Sequence, residues 1–315
     1  MAKLAVLFPG QGAQHVGMGR ELHLAFPLAR ATYEAAADAT AVDLARLSFE
    51  GPEAELRKTQ NAQPAILTHG VACLRLLAEA GVEAQIAAGH SLGEYTAHVA
   101  AGSLDFEAAV RIVRRRGELM YEAGLRRPGT MAALLGLDRS AVGEVVEAAQ
   151  AAGIVTAANL NSPTQTVISG EIAAVERACE LARERGAKRA IRLEVSGAFH
   201  SPLMESAAAG LAEILDATPV TDAHFPVIAN STAAPVDTAD AIRATLKAQL
   251  LAPVRWEESI RALVAAGFTA AVELGPGSVL KGLARAIAPE LQVYAVGDPQ
   301  GLEAALALLA AAERT

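Results

Sequence analysis

Ile86-Ala87-Ala88-Gly89-His90-Ser91-Leu92-Gly93-Glu94-Tyr95 is the stretch that decides the fold. Ile86–Ala88 is a short apolar run that reads as a buried strand and stops at Gly89. A helix-like stretch follows from Leu92 to Ala101. Strand, sharp turn and helix form the context in which G-x-S-x-G lifts a serine hydroxyl to the C-terminal end of a strand. The glycines two before and two after Ser91 let the chain bend. The Leu92 N–H then falls at a helix N-terminus, where it can stabilise an oxyanion. A chance Gly-Ser-Gly turn is the other reading of so short a motif.

Outward from this stretch, Leu4–Phe8 is a second short apolar run, closed by Pro9-Gly10. Further strands are predicted at Phe225–Ala229, Ala270–Leu274 and Val293–Val296, with helical patterns between them. This alternation predicts a mainly parallel sheet covered on both faces, an α/β fold. The middle of the chain differs. Strand-like Thr130–Leu137 leads to a helix capped by Asp138 and running to about Ala152. Strands at Ile154–Asn159 and Thr166–Ser169, a helix over Glu171–Arg185 and a strand over Arg189–Val195 follow. The order β-α-β-β-α-β is ferredoxin-like. The expected organisation is a catalytic core from residues 1–125 and 196–315, with residues 126–195 inserted as a small domain.

The bulk numbers agree with a globular chain. It has 315 residues, of which 52% are apolar, enough for a large core. The net charge of −8 argues against bulk nucleic-acid binding, which wants a basic face. Cys73 and Cys179 lie in apolar helical stretches without metal-type spacing, and read as buried small hydrophobes in a reducing compartment. No signal-peptide core is legible at the N-terminus, and the apolar tail Ala304–Ala312 is short for a membrane span. These features predict a cytoplasmic protein with no membrane partner.

A serine nucleophile needs a base. Of the seven histidines, His200 stands out, in Gly197-Ala198-Phe199-His200-Ser201-Pro202, after an apolar strand and before a helix. Ser201 suits the N-cap there and Pro202 the first helical position. His90 adjoins the serine, but a neighbour on so sharp a turn points away. The first glycine loop, Phe8-Pro9-Gly10-Gln11-Gly12, lacks the third glycine of a dinucleotide fingerprint and the Gly-Lys-Ser/Thr of a P-loop. It reads as a structural turn, as a donor of a second oxyanion N–H from Gln11, or both.

The helix from Asp105 to Ala123 carries an anomaly. Ala109, Ile112, Val113 and Met120 form one apolar stripe, and Arg116 falls on it at i+7, while Arg111, Arg115, Glu118 and Glu122 take the polar face. An arginine on the apolar side has lost water and wants an anion, and its planar fork suits a carboxylate. That anion is an internal Asp or Glu, or the free carboxylate of a substrate; snorkelling near the helix end is the third reading.

Taken together, these motifs resemble the malonyl-CoA:acyl carrier protein transacylase family. The resemblance covers essentially the whole chain and adds Gln63-Pro64-Ala65, Arg116-Gly117, Asn161-Ser162-Pro163, Gln249 ahead of Pro253-Val254-Arg255-Trp256, and Glu273-Leu274-Gly275-Pro276-Gly277. It implies an α/β-hydrolase-like core with a ferredoxin-like insert. It also implies Ser91 as nucleophile, His200 as general base oriented by the Gln249 backbone carbonyl, and the N–H groups of Gln11 and Leu92 as oxyanion hole. Arg116 would hold the malonyl carboxylate, with Gln11, Gln63, Leu92, Phe199 and Asn161 around the substrate. Leu92 and Phe199 accompany malonyl rather than methylmalonyl in related acyltransferases. The implied cycle is ping-pong: malonyl passes from coenzyme A to Ser91, then to the phosphopantetheine thiol of acyl carrier protein, supplying fatty acid elongation. No metal or bound cofactor is implied beyond the coenzyme A thioester substrate. An acidic carrier protein facing an acidic chain must dock on local basic clusters. Lys188-Arg189 is the first candidate, with Arg126-Arg127 and Arg114-Arg115 behind it. The alternatives are a stand-alone acyltransferase of a polyketide-type pathway and an acyl-thioester hydrolase using the same Ser-His pair.

Overall fold

Five short apolar segments without helical periodicity, each stopped by a glycine, proline or turn, assemble into the larger of two sheets. The computed structural model describes residues 3–312; residues 1–2 and 313–315, assigned above to the core, lie outside the described residues. The strands in chain order are β1 (Leu4–Phe8), β2 (Ile86–Gly89), β3 (Thr130–Leu135), β4 (Val155–Ser162) and β5 (Gln165–Gly170). After them come β6 (Arg189–Arg192), β7 (Val227–Ile228), β8 (Pro235–Val236), β9 (Ala270–Leu274) and β10 (Gln292–Val296).

The six-stranded sheet has the order β10-β9-β1-β2-β7-β8, parallel throughout except for β8 at one edge. β1 is buried on both faces. Leu4, Val6 and Phe8 join one apolar cluster and Ala5 and Leu7 the other, as expected of a central parallel strand between helical layers. The β1–β2 register sets Phe8 opposite Gly89. Both strands therefore end side by side, and the Gly10–Gln11 loop lies against the His90–Ser91 turn. The α/β-hydrolase-like expectation for the main sheet agrees with this arrangement.

The four-stranded sheet is antiparallel, in the order β4-β5-β3-β6, with the helices Arg139–Ala149 and Ile172–Glu184 on one face. Their own cluster, from Ala132 and Leu134 through Val145 to Ala178, closes that body. The smaller sheet is tied to the core by an isolated parallel bridge between Asn159 of β4 and Val254, in the segment before the helix Trp256–Ala265. Leu160 N–H donates to the Val254 carbonyl, and Val254 N–H to the Ala158 carbonyl, both at 2.8 Å.

Several strands differ from the sequence reading: β3 stops at Leu135 rather than Leu137, and β4 runs on to Ser162 rather than ending at Asn159. β6 stops at Arg192 because Leu193 N–H makes the last bond to Met131, after which the chain leaves the sheet and runs along a cavity. β7 keeps only two residues of Phe225–Ala229, and the two-residue β8 carried no signal.

Candidate active site

The serine turn is held in a conformation that only its surroundings maintain. Ser91 has φ 52° and ψ −105°, outside the regions open to a relaxed L-residue. A side chain at Gly89 would collide with the Gly93 carbonyl, and one at Gly93 with the Phe8 carbonyl, so the turn packs directly on β1. Asn230, buried just beyond β7, clasps both sides of the turn. Its Oδ1 accepts from Ser91 N–H and its Nδ2 donates to the Gly89 carbonyl, each at 2.6 Å.

Ser91 Oγ lies 2.8 Å from His200 Nε2. His200 Nδ1 lies 3.1 Å from the carbonyls of both Gln249 and Ala252. Carbonyls only accept, so Nδ1 carries the proton and Nε2 presents its lone pair to the serine. Burial, reinforced by the nearby Arg116 charge, holds the His200 imidazole down at about 3. The ring is neutral near pH 7 and ready to take a proton.

Arg116 reaches the same oxygen from the Phe106–Arg126 helix. Its two terminal nitrogens donate to Gln63 Oε1 at 2.7 Å, Ser91 Oγ at 3.1 Å and Gln249 Oε1 at 3.0 Å. The residue is 1% exposed, its Nε has no partner, and none of its hydrogen-bond partners is a carboxylate. Burial lowers its pKa, yet a guanidinium remains charged. Of the three sequence readings, snorkelling is removed by this burial. A direct internal carboxylate is absent from its hydrogen-bond partners.

Ser91, Arg116, His200, Gln11, Leu92 and Phe199 line one cavity of about 300 Å³. Gln63 and Asn161, expected around the substrate, stand behind its wall. Gln63 supports Arg116 and Thr59, and Asn161 Oδ1 is 2.9 Å from His90 Nε2. His90 also lines this cavity but makes no hydrogen bond to the serine oxygen, and its ring lies 5.5 Å from that of Trp256. Lys188 and Arg189 are exposed and lie at the end of β6 away from the cavity, which is bordered by Leu193, Glu194 and Val195. Arg114 and Arg115 are engaged by Glu118, and Arg115 also by Glu122.

Sequence reasoning missed three contributors. Asn230 follows a two-residue strand and has no periodic context. Ala252 acts through its backbone alone. Glu94 is wholly buried on the first turn of the Leu92–Ala100 helix and accepts from Gln249 Nε2 at 2.7 Å. Its signal was available, since it is an acid within an otherwise mostly apolar short helix. A carboxylate in a first helical turn is so commonly a solvated dipole partner that the signal was lost.

Such an arrangement can deprotonate a serine, stabilise an oxyanion and hold an anionic acyl group beside it. Among the described residues, no helix is long and apolar enough to cross a membrane. The family described as "Acyl transferase domain" matches residues 6–295. The malonyl CoA-acyl carrier protein transacylase of Bacillus subtilis (strain 168) is 49% identical over 310 residues, 98% of each chain. The crystal structure of malonyl-CoA:acyl carrier protein transacylase from Xanthomonas oryzae pv. oryzae superposes with a TM-score of 0.95 at 42% identity, covering 98% of both chains. A malonyl-transacylase solved in complex with its type II PKS acyl-carrier protein gives 0.94 at 42% identity, covering 97% of this chain and 99% of that one. This chain therefore belongs to the acyl transferase family and, within it, to the malonyl CoA-acyl carrier protein transacylases.

Proposed function

We propose that this chain transfers malonyl from malonyl-CoA to the phosphopantetheine thiol of an acyl carrier protein, through a malonyl ester on Ser91. The observation that carries the reading is Arg116: a buried guanidinium with only neutral hydrogen-bond partners, 3.1 Å from the serine oxygen. A buried cation without a direct counter-ion favours a substrate that brings one. The names of the relatives, and the carrier-protein complex of one structural neighbour, support the acyl group and the acceptor.

In the first half-reaction, His200 Nε2 takes the Ser91 proton as Oγ attacks the thioester carbon. The oxyanion is met by the N–H groups of Leu92 and Gln11, and the tetrahedral intermediate collapses as the proton passes to the leaving thiol of coenzyme A. The carrier thiol reverses these steps. Gln249 and Ala252 hold the imidazole through their carbonyls, so no side-chain acid completes the pair. The substrate carboxylate also tunes the base. Arg116 depresses the His200 pKa, and an anion seated on Arg116 offsets that effect, making the base stronger when the right acyl group is bound. The chemistry uses the protein's own groups and requires no metal or resident cofactor. Phe199 crowds an α-methyl group, worth roughly 1–3 kcal/mol of preference for malonyl over methylmalonyl. Lys188 and Arg189 are the proposed docking charges for the carrier. The setting is cytoplasmic fatty acid synthesis.

Intact-mass spectrometry after brief mixing with malonyl-CoA tests the cycle. One malonyl adduct, absent from Ser91→Ala and discharged by holo acyl carrier protein, is expected. Steady release of free malonate with no adduct would replace transfer by hydrolysis.

A further inference from the structure

Glu94 is a buried carboxylate beside the site to which acyl transfer gives no task. Its Oε2 accepts from Gln249 Nε2 at 2.7 Å and from Asn230 N–H at 3.1 Å, and its Oε1 has no donor. The Gln249 amide passes the contact on, because its Oε1 accepts from Arg116 at 3.0 Å. One neutral amide thus lies between a buried anion and a buried cation. In the empty site the two charges balance.

A substrate carboxylate on Arg116 upsets that balance, leaving two buried anions around one cation. Keeping an unmatched charge in so dry a site costs more than moving a proton. The guanidinium stays charged, and the substrate carboxylate holds it directly. Glu94 holds it only through Gln249, and protonation at Oε1 breaks no existing bond. The ionisable neighbours of Glu94 are Arg116 and, on its own helix, Tyr95. The Ala239–Gln249 helix meets Glu94 through that neutral amide, and the segment after β7 through the Asn230 backbone. His200 and His90 are both held neutral by burial.

Resting on the carboxylate-clamp reading above, we infer that Glu94 is the counter-charge of Arg116 in the empty site and takes up a proton from solvent when malonyl binds. One carboxylate and one proton enter together, Glu94 becomes a carboxylic acid, and the net buried charge is unchanged. The serine proton, relayed by His200 to the departing thiol, does not alter this count. Burial already raises Glu94 to about 7, so it is mostly ionised at pH 8 before the substrate arrives.

Titration calorimetry of Ser91→Ala with malonyl-CoA at pH 8, in two buffers of different ionisation enthalpy, counts the proton. Acetyl-CoA serves as the reference that cancels the ionisations of coenzyme A itself. The expected result is an uptake approaching one proton per malonyl-CoA, lost when Glu94→Gln is added. A purely structural Glu94 would leave the count unmoved. Preferential malonyl-CoA binding with no uptake, or uptake surviving Glu94→Gln, overturns the inference while sparing the clamp. Equal affinity for the two thioesters overturns the clamp and the inference with it. A second measurement needs no Glu94 variant: infrared difference spectra of the unsubstituted protein loaded from ¹³C-labelled malonyl-CoA. A new unlabelled carboxylic-acid carbonyl band is expected with malonyl and not with acetyl; its absence overturns the proposal.

Discussion

At the scale of the residue, unmatched polar groups govern this site. Arg116→Ala removes the buried cation beside Ser91 Oγ. The preference for malonyl over acetyl thioesters should disappear, and kcat/KM for malonyl-CoA should fall roughly 10²- to 10⁴-fold, the equivalent of about 3–5 kcal/mol. Competition between the two thioesters in the self-acylation assay measures this. Asn230→Ala leaves the Ser91 N–H and the Gly89 carbonyl without their partner. Each buried orphan costs about 1–3 kcal/mol, and the turn loses its clasp. Urea unfolding should show a loss of about 2–4 kcal/mol, with self-acylation slowed more than ten-fold. Asn230→Asp should be worse, since it sets a carboxylate against the Gly89 carbonyl and near Glu94. Arg116 was legible in the sequence because a long helix makes one misplaced charge visible against its stripe. Glu94 was not, because so short a helix cannot establish a stripe. Asn230 acts from a loop, where nothing periodic exists to violate.

Elements explain why the serine turn is so hard to alter. Its second glycine sits where the Leu92–Ala100 helix crosses β1, and Gly93→Ala drives a methyl into the Phe8 carbonyl. Overpacking of this kind costs about 1–3 kcal/mol, and a backbone obstacle places Gly93→Ala at the upper end. Gly143 is the contrasting case: exposed within the Arg139–Ala149 helix, with nothing near its missing side chain. Gly143→Ala should stabilise by about 0.5–1 kcal/mol through helix propensity alone, and denaturant melts of the two variants should move in opposite directions. The buried strands were readable because short apolar runs bounded by glycine or proline have few other fates. Strand ends were not. β6 was expected to continue to Val195, yet the residues beyond Arg192 leave their ladder to form a cavity wall, and no residue type marks that departure. The exposed start of β6 carries the docking prediction. Reversing Lys188 and Arg189 to glutamate should raise the KM for carrier protein several-fold and leave self-acylation by malonyl-CoA unchanged, as single-turnover acylation and steady-state transfer will separate.

For the whole molecule, the buried titratable groups set a stability profile with pH. His69, His98 and His200 are pushed down to about 4, 3 and 3, each first by burial. Below pH 6.5 the unfolded chain binds their protons and the folded chain does not, so their stabilising effect is lost as pH falls toward the folded values. Glu94 and Glu273 have the opposite sense, raised by burial to about 7 from 4.5. The folded chain binds their protons first, so they favour folding at low pH, and that contribution is lost as pH rises through about 7. Between 4.5 and 6.5 the two glutamates oppose these histidines, to which His90 and His23, also lowered first by burial, add in the same sense, so stability falls gradually as pH falls. Below 4.5 these two glutamates no longer differ between states, and their opposition to the histidines is gone. Thermal melts should therefore fall gently from about pH 6.5 to about 5 and more steeply below about 4.5, and His98→Gln should soften that fall. Parallel-sheet architecture and the inserted antiparallel body were both legible from the order of elements, but their junction was not, because a single backbone bridge leaves no mark on side-chain pattern. That junction has a temporal meaning. Val254 is a rung shared with β4 and stands two residues beyond Ala252, whose carbonyl steadies the imidazole. Breathing of the smaller sheet and misalignment of the base thus become one event, and the amide hydrogens of Leu160 and Val254 should exchange with solvent on the same clock as the enzyme's lapses into inactivity.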